Sequence, residues 1–429
     1  MMTWWNMVDR RTIEIAAMAL AGCGSPHGKA PTPRPSSTVS ITTPPVPSPA
    51  VSAAPTVATP SGPTCVLAAN EQVKELGDLP RPLRGVYGGD EVCVIDASET
   101  TWCGPARKGP LTRQPHGRPH TVRVTDGGHC ALLEGHRASC SLAMVGSSAR
   151  CRLLIEDVRD IALARVPAVS EEDYGKHGNV YLCTVGLNGV TRCYDGLFAL
   201  RGDAVLSESV RVEGPALQSV VLPTSYGLDR AGGVHRWFRS SAMGDSFVRF
   251  HLAPPPAPDL EPVPWVPKMT EVELPTEVLA IESGLDHACA LDAHGKVRCW
   301  GDNLWRQLGA LQPMTPRLSD GSARPWMARP PSLVTGLPPA KQLASGDDHA
   351  CILDGEGRLW CWGKNDRGQL GHVANRCHPP SEAPGLPMTC HGPAVVPGVD
   401  AVVQVSAQGD TTTYLNEAGE LGWLPAKTP

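Results

Sequence analysis

Two stretches decide the fold: Ile281-Glu-Ser-Gly-Leu-Asp-His-Ala-Cys-Ala-Leu-Asp-Ala-His-Gly-Lys-Val-Arg-Cys-Trp-Gly301 and Leu343-Ala-Ser-Gly-Asp-Asp-His-Ala-Cys-Ile-Leu-Asp-Gly-Glu-Gly-Arg-Leu-Trp-Cys-Trp-Gly363. Each runs on into an Asn and a Gln-Leu-Gly: Asn303 with Gln307-Leu308-Gly309, and Asn365 with Gln369-Leu370-Gly371. A motif of this length recurring at a 62-residue interval is a repeat. Inside each copy two cysteines stand ten residues apart, Cys289 with Cys299 and Cys351 with Cys361. That interval suits a β-hairpin with its turn at Asp292 to Gly295, because alternate residues Cys289, Leu291, Val297 and Cys299 then share one face. Directly opposed residues at a non-hydrogen-bonded pair lie close enough for a disulfide.

The same spacing recurs at Cys93 and Cys103, Cys130 and Cys140, and Cys183 and Cys193, so five cross-strand bridges are expected. Two further copies lack the cysteines. Tyr226 and Arg236 take those positions in one, and Thr413 and Trp423 in the other. Hairpins therefore start at 93, 130, 183, 226, 289, 351 and 413, with intervals of 37, 53, 43, 63, 62 and 62 residues. A unit of this size cannot bury its apolar face alone and must stack on neighbours.

The pattern of Gly, His, an Ala-Leu strand, a Gly turn, a strand ending Trp-Gly, then Asn and Gly-Gln-Leu-Gly resembles the regulator-of-chromosome-condensation repeat. The second copy carries all of it, and the first has Arg306 where the pattern has Gly. The resemblance implies an all-β fold, a β-propeller, here with seven blades. A different number follows if the weak second or fourth copy is not a blade, or if the closing blade draws a strand from Cys65 to Leu79. Proteins of this fold serve diverse partners: nucleotide exchange on a small GTPase, chromatin binding and inhibition of a β-lactamase. Fold alone does not choose among them. Trp300, Trp362, Trp102, Trp237 and Trp423 fall within one place of a common register, which fits packing between blades better than an aromatic cage.

The N-terminus reads as an export signal over residues 1–22: Arg10 and Arg11, an apolar stretch from Ile13 to Leu20, then Leu20-Ala21-Gly22-Cys23. The tetrapeptide resembles the lipobox of bacterial lipoproteins, which implies cleavage before Cys23 and acylation of its thiol and new amino group. Two or more acyl chains at about 0.8 kcal/mol per buried CH₂ would anchor the chain stably. A start at Met7 would remove residues that fit the signal poorly. Residues 23–64 follow as the lipidated cysteine and a Pro/Ser/Thr/Ala-rich spacer with no apolar periodicity. The propeller then occupies 65–429. An exported protein, lipid-anchored to a bacterial envelope and touching the membrane through that anchor alone, is expected.

Fifteen cysteines suit an oxidising compartment if they pair. Apart from Cys23 and the five pairs, Cys377 with Cys390 closes an inserted loop and Cys65 with Cys151 is left by elimination. Cys377-His378 and Cys390-His391 also offer four soft ligands, so a zinc site there stays an alternative to the disulfide. The expectation is no metal and no cofactor. Net charge is −5 with no dense Lys/Arg run, so the electrostatic footprint of a nucleic-acid binder is missing. The nucleophile-elbow, zinc-protease, phosphate-loop and dinucleotide signatures are absent, and Glu171-Glu172 and Asp347-Asp348 read as solvated neighbours. Asp286-His287 and Asp348-His349 read as groups that satisfy backbone ahead of a core strand.

Three Pro-rich insertions, Ala253 to Pro275, Ala310 to Pro339 and His372 to Val399, interrupt the repeats, and the first two carry Trp265 and Trp326. Insertions in repeats tend to emerge on one face, so these two tryptophans are candidate partner contacts. The expected function is non-enzymatic: a monomeric envelope scaffold binding a protein or a cell-wall glycan. A polysaccharide lyase or hydrolase at the channel mouth, and a purely structural lipoprotein, are the alternatives.

Overall fold

A computed structural model of the chain describes residues 66–67, 72–105, 107, 109–115, 119–125, 128–143, 150–166, 179–194, 209–237, 269–275, 277–303, 305–309, 329–372, 375–376 and 389–424. They lie in one compact unit, Thr59–Pro429, and form seven antiparallel sheets. The sheets follow one another along the chain as blades 1 to 7, spanning 85–113, 121–155, 158–212, 217–272, 278–333, 340–395 and 402–424. Both weak copies, the second and the fourth, are blades.

The first strand of each blade is its inner one: Gly85–Gly88, Thr121–Thr125, Val158–Val166, Leu217–Val221, Val278–Ser283, Ala340–Ser345 and Val402–Gln408. Each packs beside the next, and the last returns to the first, so the ring closes. Side chains of blade 7 seal that joint. Gln404 Oε1 accepts the Val86 N–H at 3.1 Å, Ser406 Oγ accepts that of Gly88 at 2.8 Å, and Gln408 Oε1 accepts that of Gly89 at 3.2 Å.

The second and third strands of each blade are the hairpins expected from sequence. Cys93, Cys130, Cys183, Cys289 and Cys351 stand opposite Cys103, Cys140, Cys193, Cys299 and Cys361, all bonded, with Cα–Cα distances of 4.0–4.1 Å. Tyr226 opposes Arg236, and Thr413 opposes Trp423, in the two blades without a bridge. An aspartate shapes most of these turns. Asp354 Oδ1 accepts the N–H groups of Glu356 and Arg358 at 2.9 and 3.0 Å, and Asp96, Asp229 and Asp292 do the same in their hairpins. This is the side-chain turn closure that makes Asp favourable at such positions.

The core is not one mass but a series of slabs, each between two blades. Cys289 and Cys299 of blade 5 pack with Leu343, Ala350, Ile352 and Trp362 of blade 6. Ala288, Ala290 and Trp300, on the alternate positions of blade 5, pack instead with Tyr226, Leu228 and Val234 of blade 4. Period-two alternation thus gives every blade two apolar faces. Trp102, Trp237, Trp300 and Trp362 are buried in such slabs, whereas Trp423 is only half-buried, with Arg107 lying 5.5 Å from its ring centroid.

One alternative falls away and one expectation gains detail. Val73–Lys74 adds to the outer edge of blade 1 and Val66–Leu67 to that of blade 2, so neither strand joins the closing blade. Blade 7 has three strands among the described residues. The three Pro-rich insertions, moreover, are not wholly outside the repeats. They end in the fourth strands of blades 4, 5 and 6, Thr270–Val272, Arg329–Leu333 and Thr389–Val395. The fourth strands of blades 4 and 5 bond along one edge only, and that of blade 6 meets a second neighbour, Asn375–Arg376, at Thr389 and Cys390 alone, so prolines such as Pro331 and Pro393 are tolerated where they would break an inner strand.

Cys151 is also disulfide-bonded. Cys23, Cys65, Cys377, His378, Trp265 and Trp326 lie outside the described residues, and of Cys390 the backbone alone is described.

Candidate functional site

Antiparallel topology sorts the loops. The turns between first and second strands and the crossings between third and fourth strands open on one face of the ring, and the hairpin turns on the other. The expected insertions in blades 4, 5 and 6 all leave and rejoin the described chain through third-to-fourth crossings, hence on the first face.

On that face blades 5, 6 and 7 bring a charged cluster together. Lys364, at the end of the third strand of blade 6, sits with Nζ 3.3 Å from Asp348 Oδ2, 3.3 Å from Asp410 Oδ1 of blade 7, and 3.8 Å from Asp366 Oδ2. The Trp305 ring of blade 5 lies beneath it, 5.1 Å away at the centroid. Arg367 Nε reaches Asp410 Oδ2 at 3.1 Å, and Gln369 Nε2 donates to Asp410 Oδ1 at 3.2 Å. Asp286 and Asp302 of blade 5 extend the acidic side. Burial, followed by the charges of Asp302 and Asp348, pushes the Asp286 carboxyl up to about 7. Burial opposes the charge on Lys364, but Asp348, Asp410 and Asp366 outweigh it and raise its pKa above the ordinary lysine value.

The repeat motif builds the platform. The Gly363 backbone has φ of +105°, and a Cβ there would meet the carbonyl oxygen of Asp348, so the Trp-Gly step brings the third-strand crossing against the first turn. Gly346 lies under the His349 ring, where any Cβ would collide. Backbone bonds then run from blade to blade: Leu285 N–H to Asp347 O at 3.0 Å, and Asp347 N–H to Gly409 O at 2.9 Å. His349 is buried, shares a 2.8 Å hydrogen bond with Thr412 Oγ1, and burial with the nearby Lys364 lowers its pKa to about 3. His287 is buried likewise, with a pKa lowered to about 3 by burial and by His349. Both are neutral structural histidines. The Asp286 and Asp348 carboxylates, by contrast, face the charged cluster, while main-chain carbonyls of the same residues bond the Asp302 and Lys364 N–H groups.

A second charged group sits among the inner strands. Arg123 of blade 2 reaches Asp160 of blade 3 at 4.0 Å and, across the ring, Glu282 of blade 5 at 3.8 Å. Asp160 Oδ2 also accepts the Val220 N–H of blade 4 at 2.9 Å. Burial raises both carboxyls even though Arg123 opposes it.

Sequence reasoning missed Lys364, Asp410, Asp302 and Asp366. One signal was present: the two strongest copies agree through Trp-Gly and Asn but carry Asp302 in one and Lys364 in the other. Arg123, Asp160 and Glu282 come from degenerate or first-strand positions and carry no motif.

The regulator of chromosome condensation (RCC1) repeat matches residues 278–304 and 340–369, and a second description of the same repeat matches 356–415. The chain is 35% identical over 113 residues to a bovine secretion-regulating guanine nucleotide exchange factor, covering 25% of this chain and 23% of that protein. It is 29% identical over 133 residues to protein pim1 of Schizosaccharomyces pombe, covering 30% and 23%. The chain thus spans about a quarter of the length of these curated relatives. The crystal structure of Prp20p from Saccharomyces cerevisiae, described with its binding to Gsp1p and histones, superposes with a TM-score of 0.50 at 14% identity, covering 76% of this chain and 80% of that one. At that identity the likeness is one of fold.

Proposed function

On the premise of a seven-bladed propeller that carries regulator-of-chromosome-condensation repeats, we propose that this chain is a non-enzymatic interaction scaffold, held at a bacterial cell envelope by lipid on Cys23. It binds a protein partner through the face on which the insertions of blades 4 to 6 open. The observation that carries this reading is the half-buried cluster around Lys364 on that same face, built by three blades. Its carboxylates Asp302, Asp348, Asp366 and Asp410 outnumber Lys364 and Arg367, so a basic partner surface fits it and would draw the proton off Asp286 beside them. The exchange-factor relative supports binding of proteins by this fold.

The test is chemical crosslinking of the full chain in an envelope preparation. Asp410→Lys, and separately Trp265→Ala with Trp326→Ala, should each abolish the crosslinked product, and Cys23→Ala should release the chain from the membrane fraction. Unchanged crosslinking in both variants would discard the face; a product that is a glycan would replace protein by cell-wall glycan as the partner class.

The lyase or hydrolase reading gains one specific observation, the convergence of Asp160 and Glu282 at the centre of the ring. Arg123 stands between them and occupies the acid and base groups such chemistry would need. Turnover of an envelope polysaccharide that is lost in Glu282→Gln would favour the enzyme.

A further inference from the structure

The bridge of blade 1 differs from those of blades 2, 5 and 6 in what faces it. In blades 3, 6 and 7 the residue before the first-cysteine position packs with the bridge of the preceding blade. That residue is Leu182 against Cys130–Cys140, Ala350 against Cys289–Cys299, and Thr412 against Cys351–Cys361, where Thr412 Oγ1 lies 3.6 Å from Cys351 Sγ. Against Cys93–Cys103 it is His129. The residues shown at this place in the other blades are leucine, alanine and threonine, none of which offers a metal a ring nitrogen. The sulfurs of Cys93 and Cys103 and a ring nitrogen of His129 all lie within 4.8 Å of one another, and all three residues are buried.

We propose that Cys93, Cys103 and His129 form a binding site for one thiophilic cation such as zinc, a site that the Cys93–Cys103 bond masks and reduction opens. Two electrons from a thiol reductant, two glutathione molecules leaving as one glutathione disulfide, convert the bridge to two thiols. Zinc then displaces both thiol protons and takes the neutral imidazole as its third ligand. Zn–S bonds of about 2.3 Å at a tetrahedral angle place the sulfurs about 3.8 Å apart, within the 4.8 Å envelope of the ligand atoms. Once reduced, the two thiols have only to part by side-chain rotation on strands whose Cα atoms are 4.1 Å apart. Three protein ligands leave a fourth position open, and two thiolates with one imidazole select a soft or borderline ion over calcium or magnesium.

The test takes the full chain through a glutathione redox series with and without zinc ion. After acid quenching and chelation of the zinc, thiols in each of the five ten-residue pairs are quantified by peptide mass spectrometry. Binding to the reduced form alone raises the reduced-to-oxidised ratio of Cys93/Cys103 by one plus the ratio of zinc to its Kd, on the order of tenfold at zinc ten times Kd. The other four pairs should not move. His129→Leu, which installs the residue that blade 3 uses at this place, should remove the zinc effect. Leu182→His should confer it on Cys130/Cys140. An equal shift in all five pairs, a shift that survives His129→Leu, or no shift at all would overturn the proposal.

Discussion

Replacing Cys289 and Cys299 together by alanine removes one staple from the most regular hairpin. Closing a loop of ten residues restricts the unfolded chain by about 2.7 kcal/mol at 25 °C in the chain-entropy treatment. Both sulfurs are fully buried between blades 5 and 6, beside Ala350 and Trp362, and the void they leave costs about 1 kcal/mol more. The expected loss is therefore about 4 kcal/mol, close to a thousandfold in the unfolding equilibrium. The blade should nevertheless form, because blades 4 and 7 close the same hairpin with Tyr226 opposite Arg236 and Thr413 opposite Trp423. Urea denaturation of the oxidised protein, followed by tryptophan fluorescence, measures the loss, and hydrogen exchange should place it in residues 287–301. A change below about 1 kcal/mol would refute the reasoning, since it would mean that neighbouring blades already hold the hairpin ends together in the denatured ensemble.

Asp354→Ala removes a buried acceptor that takes four hydrogen bonds, from the N–H groups of Glu356 and Arg358, from Arg358 Nε at 2.8 Å and from Trp360 Nε1 at 3.0 Å; a loss of about 2–3 kcal/mol in urea midpoints is expected, and Asp354→Asn should recover about half. The Asp286 carboxyl, raised to about 7, contributes stability below its unfolded pKa that is lost as pH rises through 7, so Asp286→Asn should stabilise the protein at pH 8 by about 2–4 kcal/mol and leave it unchanged near pH 4. His287 and His349, lowered to about 3, work in the opposite sense: their stability is present above pH 6.5 and falls by about 1 kcal/mol each between pH 6 and 5, which His349→Asn should halve in pH-dependent melting. Gly346→Ala forces a methyl into the His349 ring, and a lower melting temperature with altered crosslinking through the Lys364 face is expected.

The amino-acid sequence by itself determined the repeat, the seven hairpins and which cysteines stand opposite each other. The reason is local: a ten-residue interval, a turn aspartate and period-two alternation specify strand register without any distant contact. It did not reveal the outer strands. Thr270–Val272, Arg329–Leu333 and Thr389–Val395 follow long, proline-bearing stretches and lie at or next to the edge of their sheets, so their composition resembles loop. Nor did it place Val66–Leu67 and Val73–Lys74, whose partners lie more than a blade away in sequence. The charged cluster shows the same division most clearly. Asp286 and Asp348 stood out as repeated motif residues, but Lys364, Asp410 and Asp302 acquire their meaning only when ring closure sets three blades side by side. The same holds for His129, an ordinary residue before a cysteine until the preceding blade's bridge is laid against it: strand periodicity is written in the chain, whereas which side chains meet across a blade interface is decided by the packing of the whole ring.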